Sequence, residues 1–118
     1  MRNTRALFRP VGEIEMELIR ASGFTRFPPR LPGQPIFYPV AVQGYAEQIA
    51  REWNAKEPGH VGYVVRFDVD ETFIDRYPVR QVGNKTHLEY WIPAEDLGAL
   101  NAHIVGRIRI IYEYRVDV

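Results

Sequence analysis

The chain has no cysteine, only two lysines and no apolar run long enough to cross a membrane. Without cysteine it cannot form disulfides, thiolate metal sites or cysteine nucleophiles. Without a long apolar run it is not expected to span a membrane, and its first residues lack the apolar stretch of a signal peptide. We therefore expect a cytoplasmic protein with no membrane association.

The chain also lacks an excess of charge of one sign, since 15 basic residues balance 15 acidic ones. The distribution is uneven, because residues 1–30 carry six arginines against three glutamates. Guanidinium groups suit phosphate and carboxylate recognition, although a GC-rich genome explains an arginine bias more simply. The small basic excess and the near-neutral isoelectric point argue against a nucleic-acid-binding surface.

The composition is that of an ordinary globular protein, 46% hydrophobic and 25% charged. A chain of this length is expected to form one domain over residues 1–118. Apolar spacing and glycine or proline breaks predict helices over 13–21 and 44–53 and strands over 6–9, 36–38, 62–69, 79–82, 86–92 and 104–114. Short helical turns are expected after Asp70, as an N-cap, and from Pro93. This order predicts an α+β fold with two N-terminal helices and a strand-rich second half.

The sequence also predicts which sides of the helices are buried. Two apolar stripes with helical spacing would face the core: Ile14, Leu18 and Ala21 in the first helix, and Tyr45, Ile49 and Trp53, with Ala46 and Ala50 beside them, in the second. Pro10 is expected to end the first strand because it has no backbone N–H. Residues 24–35 contain four prolines and a glycine and are expected to be an irregular loop. Its proline-rich part, residues 27–32, would serve either as a lid over a ligand or as a partner-docking segment.

The segment from Thr86 to Pro93 carries the most informative pattern. Strand alternation places His87 and Glu89 on one face and Leu88 and Tyr90 on the other. A carboxylate beside a polar partner, bounded by large aromatic residues, suits a cleft in which a charged group faces a ligand. The alternative is an edge strand with a solvated glutamate.

Three local patterns follow one another in a familiar order. Leu7-Phe8-Arg9 is similar to an opening strand in which an aromatic residue precedes Arg or His; Ile36-Phe37-Tyr38 precedes an alanine-bearing helix; His87-Leu88-Glu89 is a polar-x-Glu motif. Together they resemble the ADP-ribosyltransferase fold over residues 5–112. The chain also resembles small stand-alone bacterial proteins labelled as ADP-ribosylation-related, which carry the motifs Arg-Pro-Val, Phe-Tyr-Pro-Val and Glu-Tyr-Trp-Ile-Pro-Ala-Glu found here at residues 9–11, 37–40 and 89–95. The resemblance implies a compact, mixed, mostly antiparallel split sheet.

The resemblance further implies an enzyme that uses NAD as a substrate. Glu89 would be the catalytic carboxylate, stabilising the positive charge that develops on the ribose as the nicotinamide–ribose bond breaks. Arg9 would bind the pyrophosphate or ribose, Tyr38 would stack on the nicotinamide or close the ribose pocket, and His87 would orient the acceptor or bind a ribose hydroxyl. The acceptor of ADP-ribose would be an unknown macromolecule, such as a protein, or water.

The chain departs from the family at two positions. Phe37-Tyr38-Pro39-Val40 stands where the arginine-type enzymes carry serine-threonine-serine, and Arg9 stands where the diphtheria-like enzymes carry histidine. The resulting hybrid set of Arg9, Tyr38 and Glu89 leaves a second hypothesis open: a non-catalytic binding or regulatory module of the same fold in a bacterial interaction system. His60 and His103 have no carboxylate or histidine at metal-ligand spacing that stands out, so no metal site is expected.

Overall fold

The computed structural model describes residues 3–117 as an α+β fold with antiparallel sheets and four α-helices. The strands are β1 (Thr4–Val11), β2 (Ile36–Phe37), β3 (Val61–Asp70), β4 (Val79–Gln81), β5 (Leu88–Tyr90), β6 (Ile92–Pro93) and β7 (Ile104–Arg115). The α-helices are α1 (Glu13–Ala21), α2 (Gln43–Glu52), α3 (Glu71–Ile74) and α4 (Leu97–Ala102), and 3-10 turns lie at Asn54–Lys56 and Ala94–Asp96. Within this described range, no helix has the length and apolar character needed to cross a membrane.

The main sheet has the order β1-β3-β7, and both pairings are antiparallel. β3 lies in the middle and begins with five consecutive buried residues, Val61–Val65. A strand that is covered on both faces has a continuous run of apolar residues, whereas a strand covered on one face alternates apolar and polar residues. Its two faces support two cores: Val65 and Phe67 join the larger one, and Val64 joins a smaller one under α2.

An extended segment, residues 39–41, connects β1 to β5. Val40 exchanges two backbone hydrogen bonds with Phe8 of β1, at 2.7 and 2.9 Å, and pairs on its other side with Glu89 of β5. β5 pairs in turn with β4, and β2 pairs with β6. The three paired residues Phe8, Val40 and Glu89, which we call the central ladder, determine where the Glu89 carboxylate stands relative to β1.

β1 continues through Pro10 to Val11, so the prediction that Pro10 ends the first strand is wrong. Pro10 lies opposite Val64 of β3. β1 is the outer strand of the main sheet, where a proline is tolerated if its missing N–H would point away from the neighbouring strand. Gly12 follows the strand and is the N-cap of α1.

The first helix occupies the predicted residues, 13–21, but presents a different side to the core. Met16 and Ile19 are fully buried, whereas Ile14 is 71% exposed and Leu18 is 50% exposed. The predicted stripe is therefore wrong. α1 carries two apolar stripes with helical spacing, and only its packing against the rest of the molecule decides which one is buried.

The second helix buries its alanines instead of its aromatic stripe. Ala46 and Ala50, which the sequence predicts to lie beside that stripe, are fully buried, whereas Trp53 is 71% exposed, which corrects the prediction for Trp53. Small side chains let α2 approach β3 closely, since a Cβ atom added to Gly62 would lie 2.1 Å from the carbonyl oxygen of Ala50. Tyr45 remains half-buried near the start of the helix, where it reaches β5.

Two local predictions for the second half of the chain have different outcomes. The strand expected over 86–92 is interrupted at Trp91, because β5 pairs with β4 whereas β6 pairs with β2. The N-cap expected at Asp70 is confirmed, since its carboxylate accepts a hydrogen bond from the backbone N–H of Phe73 at 3.2 Å.

Candidate functional site

The carboxylate of Glu89 is held by two hydrogen bonds from neutral donors. β5 turns Tyr90 into the core and leaves Glu89 half-buried on the other face. The Tyr45 hydroxyl of α2 donates to Oε2 at 3.1 Å, and the Trp91 indole Nε1 donates to Oε1 at 2.8 Å. Each carboxylate oxygen therefore has one fixed donor, so the group has a defined orientation before any ligand arrives.

Aromatic rings surround this carboxylate. The imidazole of His87 stacks on the ring of Tyr45, with centroids 4.2 Å apart and planes 12° from parallel. The Trp91 ring meets that of Tyr38 edge-on, with centroids 6.2 Å apart. We call these five residues, Tyr38, Tyr45, His87, Glu89 and Trp91, the Glu89 cluster. Because Tyr45 contacts both His87 and Glu89, these two side chains face the same side, as strand alternation predicts.

The charge of Glu89 affects its neighbours. Burial raises the pKa of the Tyr45 hydroxyl, and the adjacent Glu89 carboxylate raises it further. The neutral, hydrogen-bond-donating form of Tyr45 therefore persists to higher pH than that of an ordinary tyrosine. Arg80 lies directly opposite Glu89 in the β4–β5 pairing, and its guanidinium carbon is 4.3 Å from the centroid of the Trp91 ring. A cation thus lies next to the cluster on its β4 side.

Arg9 lies on the other face of the central ladder. Phe8, Val40 and Glu89 pair directly and therefore share a face. Successive residues of a strand point to opposite faces, so Arg9 points away from Phe8 and from Glu89. The sequence predicts that Arg9 and Glu89 would serve one site; the pairing instead separates their side chains by the thickness of the sheet.

Arg9 is engaged by α1 on that face. Its side chain is buried and donates to the Glu15 carboxylate through Nε at 2.7 Å and Nη2 at 2.9 Å. Nη1 donates to the backbone carbonyl of Tyr38 at 3.3 Å, and the guanidinium carbon lies 4.3 Å from the Phe37 ring centroid. This two-point ion pair attaches α1 to β1.

A cavity of about 380 Å³ opens beside Arg9, between α1 and the proline-rich loop. Its lining includes Arg9, Glu15 and Arg30, and we call it the Arg9 cavity. None of the five residues of the Glu89 cluster lines it. The structure therefore brings together Tyr38, His87 and Glu89 of the predicted site residues and places Arg9 in a separate cavity.

Sequence reasoning missed three residues at the site. Tyr45 was expected to be a core residue, and its contact with Glu89 spans 44 positions of sequence, which no local pattern shows. Trp91 stands two residues after Glu89, so strand alternation alone would have placed both on one face. The position of Arg80 next to Glu89 depends on the register of β4 against β5, which the sequence alone does not give.

Within residues 3–117, no group of three or more histidine, aspartate or glutamate side chains has the arrangement of a metal site. Comparison with family models, with curated proteins and with solved structures found no match to this chain. Function is therefore argued from the geometry of the site.

Proposed function

We propose that this chain is a small ADP-ribosyltransferase-like protein that acts in the cytoplasm. It binds NAD at the Glu89 cluster, cleaves the nicotinamide–ribose bond and transfers ADP-ribose to an unknown acceptor. The observation that carries the proposal is a half-buried carboxylate whose oxygens accept hydrogen bonds from Tyr45 and Trp91 among aromatic rings.

The reaction gives this carboxylate a specific task. When the bond between ribose C1′ and the nicotinamide nitrogen breaks, its electron pair leaves with nicotinamide, which becomes neutral. Positive charge then spreads over C1′ and the ring oxygen of the ribose. A carboxylate already oriented by Tyr45 and Trp91 stabilises this charge without reorganising. Water or a nucleophile of the acceptor adds to C1′ and loses a proton.

The remaining cluster residues match other parts of NAD. The partly exposed rings of Tyr38 and Trp91 offer stacking surfaces for the nicotinamide. The imidazole of His87 can donate a hydrogen bond to a ribose hydroxyl or accept one from it. Arg80, which lies opposite Glu89, is better placed than Arg9 to pair with the pyrophosphate.

A specific observation favours the second candidate, a non-catalytic binding or regulatory module of the same fold. Both oxygens of Glu89 already accept hydrogen bonds within the protein, and the charge of Arg9 is neutralised by Glu15. Such a module would use the Glu89 cluster to recognise a partner and would not turn NAD over.

Nicotinamide release tests the proposal. We expect the protein incubated with NAD to release nicotinamide, measured by chromatography, and Glu89→Gln to lower the rate by at least about 100-fold, since one transition-state charge interaction is lost. Glu95→Gln is the matched control, because Glu95 is an exposed carboxylate in the 3-10 turn after β6. Circular dichroism should show that both variants are folded.

Two outcomes would contradict the enzymatic proposal. One is equal release by the wild type and Glu89→Gln. The other is an absence of release by a protein that is folded, which is the result expected of the non-catalytic module.

A further inference from the structure

The Arg9 cavity has no role in the proposed function, yet it has the dimensions of a ligand site. Its volume of about 380 Å³ lies within the range of about 300–1,000 Å³ that is typical of small-molecule pockets. Its lining comes from β1, α1, the proline-rich loop and the turn that follows α2. The chemistry of this lining differs from one end to the other.

One end of the cavity is basic. Arg30 donates through Nε to the carbonyl oxygen of Ile36 at 3.1 Å, and its guanidinium carbon is 5.9 Å from the Phe37 ring centroid. Within residues 3–117, its terminal nitrogens make no hydrogen bond or ion pair. Glu15, which forms an ion pair with the neighbouring Arg9, also attracts Arg30, so this end of the cavity carries two guanidinium groups and one carboxylate.

The other end of the cavity is rich in acceptors. The Oδ1 atom of Asn54 is buried and receives no hydrogen bond from the described residues, while its Nδ2 donates to Glu57 at 3.0 Å. Glu13 adds a second carboxylate. Glu57 stands beside Gly12, since a Cβ atom added there would lie 2.8 Å from Glu57 Oε1. A buried acceptor without a donor is costly, and with the Glu57 carboxylate beside it this end of the cavity is short of hydrogen-bond donors.

The two ends lie at different positions along β1. Arg30 and Arg9 both lie near the Phe37 ring at the basic end, and Glu57 lies beside Gly12, three residues after Arg9, at the other end. Between them the walls are apolar, with Ile14, Leu18 and Leu31 lining the cavity while remaining half or more exposed. Ile14 and Leu18 are α1 residues that the sequence predicts to be buried, and here they have no covering partner within the described chain.

We propose that the Arg9 cavity binds a small zwitterion with an apolar body, of the class of an aliphatic amino acid or dipeptide. The ligand carboxylate pairs with Arg30, and its ammonium group donates to the carboxylates of Glu13 and Glu57. The apolar body lies against Ile14 and Leu18. This inference does not depend on the proposed function, because no residue of the Glu89 cluster lines the cavity.

The test compares ligands that differ by one charge, using calorimetry and NMR titration of the full chain. The probes are leucyl-leucine, its N-acetyl derivative, its C-terminal amide, and free leucine, which shows whether a single residue suffices. We expect leucyl-leucine to bind and each blocked form to bind at least about tenfold more weakly, because each has lost one charge-assisted hydrogen bond. Chemical shifts should change at residues 12–18, 28–34 and 54–58 and not at 87–91.

Variants identify the basic end. Arg30→Gln should weaken leucyl-leucine by about tenfold and leave the affinity for the amide unchanged, since the amide has no carboxylate to lose. Arg26→Gln is the matched control, because Arg26 is an exposed arginine of the same region that does not line the cavity. Glu57→Gln should show the converse, weakening leucyl-leucine but not its N-acetyl derivative.

Several results would overturn the inference. They are equal affinity for leucyl-leucine and both blocked forms, an absence of binding, or an Arg30→Gln variant that binds leucyl-leucine as the wild type does. If Arg30→Gln does not fold, the affinities of the wild type for leucyl-leucine and its two blocked forms still test the inference. Nicotinamide release from NAD is measured separately, so a failure here and a failure of the proposed function are distinguishable.

Discussion

The two faces of the central ladder hold charge in different ways. On one face, Arg9 and Glu15 form a two-point ion pair in which each charge is compensated by the other. On the other face, Glu89 is held by the neutral hydroxyl of Tyr45 and the neutral indole of Trp91. Neutral donors orient a carboxylate without cancelling its charge. The negative charge on the Glu89 face can therefore still act on a ligand. On the Arg9 face the two charges pair with each other and stabilise the fold.

The largest expected effect comes from separating α2 from β3, because this would move Tyr45 of α2 away from Glu89. Gly62→Ala places a Cβ atom 2.1 Å from the backbone oxygen of Ala50, so the helix must move. We expect the free energy of unfolding to fall by about 3 kcal/mol or more, measured by urea denaturation.

The matched control for that substitution is Gly98→Ala in α4. A Cβ atom there meets no other atom within 4 Å, and alanine has the higher helix propensity. This variant should be as stable as the wild type or more stable by up to about 1 kcal/mol. Similar losses in both variants would contradict the close contact between α2 and β3.

The Arg9 face is tested by removing its negative charge. Glu15→Gln leaves the buried guanidinium of Arg9 without a charged partner and should cost about 2 kcal/mol of unfolding free energy. Glu17→Gln, on the same helix and in a weak exposed pair with Arg20, should change stability by less than about 0.5 kcal/mol. Nicotinamide release should be unchanged in folded Glu15→Gln. A selective loss of turnover there would show that the two faces are not separate.

A smaller effect is expected from removing one donor of the Glu89 carboxylate. Tyr45→Phe keeps the ring that stacks on His87 but loses the hydroxyl, and should cost about 1 kcal/mol of stability. The control is Tyr112→Phe, whose hydroxyl accepts from the exposed Arg51 and should contribute less than about 0.5 kcal/mol. Nicotinamide release should slow in Tyr45→Phe and not in Tyr112→Phe. Equal rates of release by the two variants would argue against a positioning role for Tyr45.

The smallest expected effect concerns alkaline pH. The pKa of Tyr45 is raised above its ordinary value of 10.0, mainly by burial and further by Glu89. Its neutral form therefore contributes stability that is fully present below pH 10.0 and is lost as the pH rises through the higher folded-state pKa. Ultraviolet titration should show that Glu89→Gln lowers the pKa of Tyr45 while leaving it above 10.0. No change in that variant would contradict the electrostatic coupling of the two groups.

The sequence predicts much of the local structure because local structure depends on nearby residues. The position of α1, the Asp70 cap and the shared face of His87 and Glu89 follow from spacing and side-chain chemistry. The choice of buried stripe does not, since Ile14 with Leu18 and Met16 with Ile19 are both compatible with an amphipathic helix.

The composition of the site depends on contacts that are distant in sequence. Val40 pairs with both Phe8 and Glu89, and this double pairing alone puts Arg9 on the face away from the carboxylate. Tyr45 reaches Glu89 because α2 lies close to β3, which depends on Gly62 and the alanines of the helix. Strand order and close packing of this kind are not encoded in any single motif.

An NMR titration of the full chain with NAD tests most directly whether the Glu89 cluster is the ligand site. The account predicts chemical-shift changes concentrated at Tyr45 and at residues 87–91, with little change at residues 28–34 beside the Arg9 cavity. An absence of shifts, or shifts confined to α1 and residues 28–34, would contradict it.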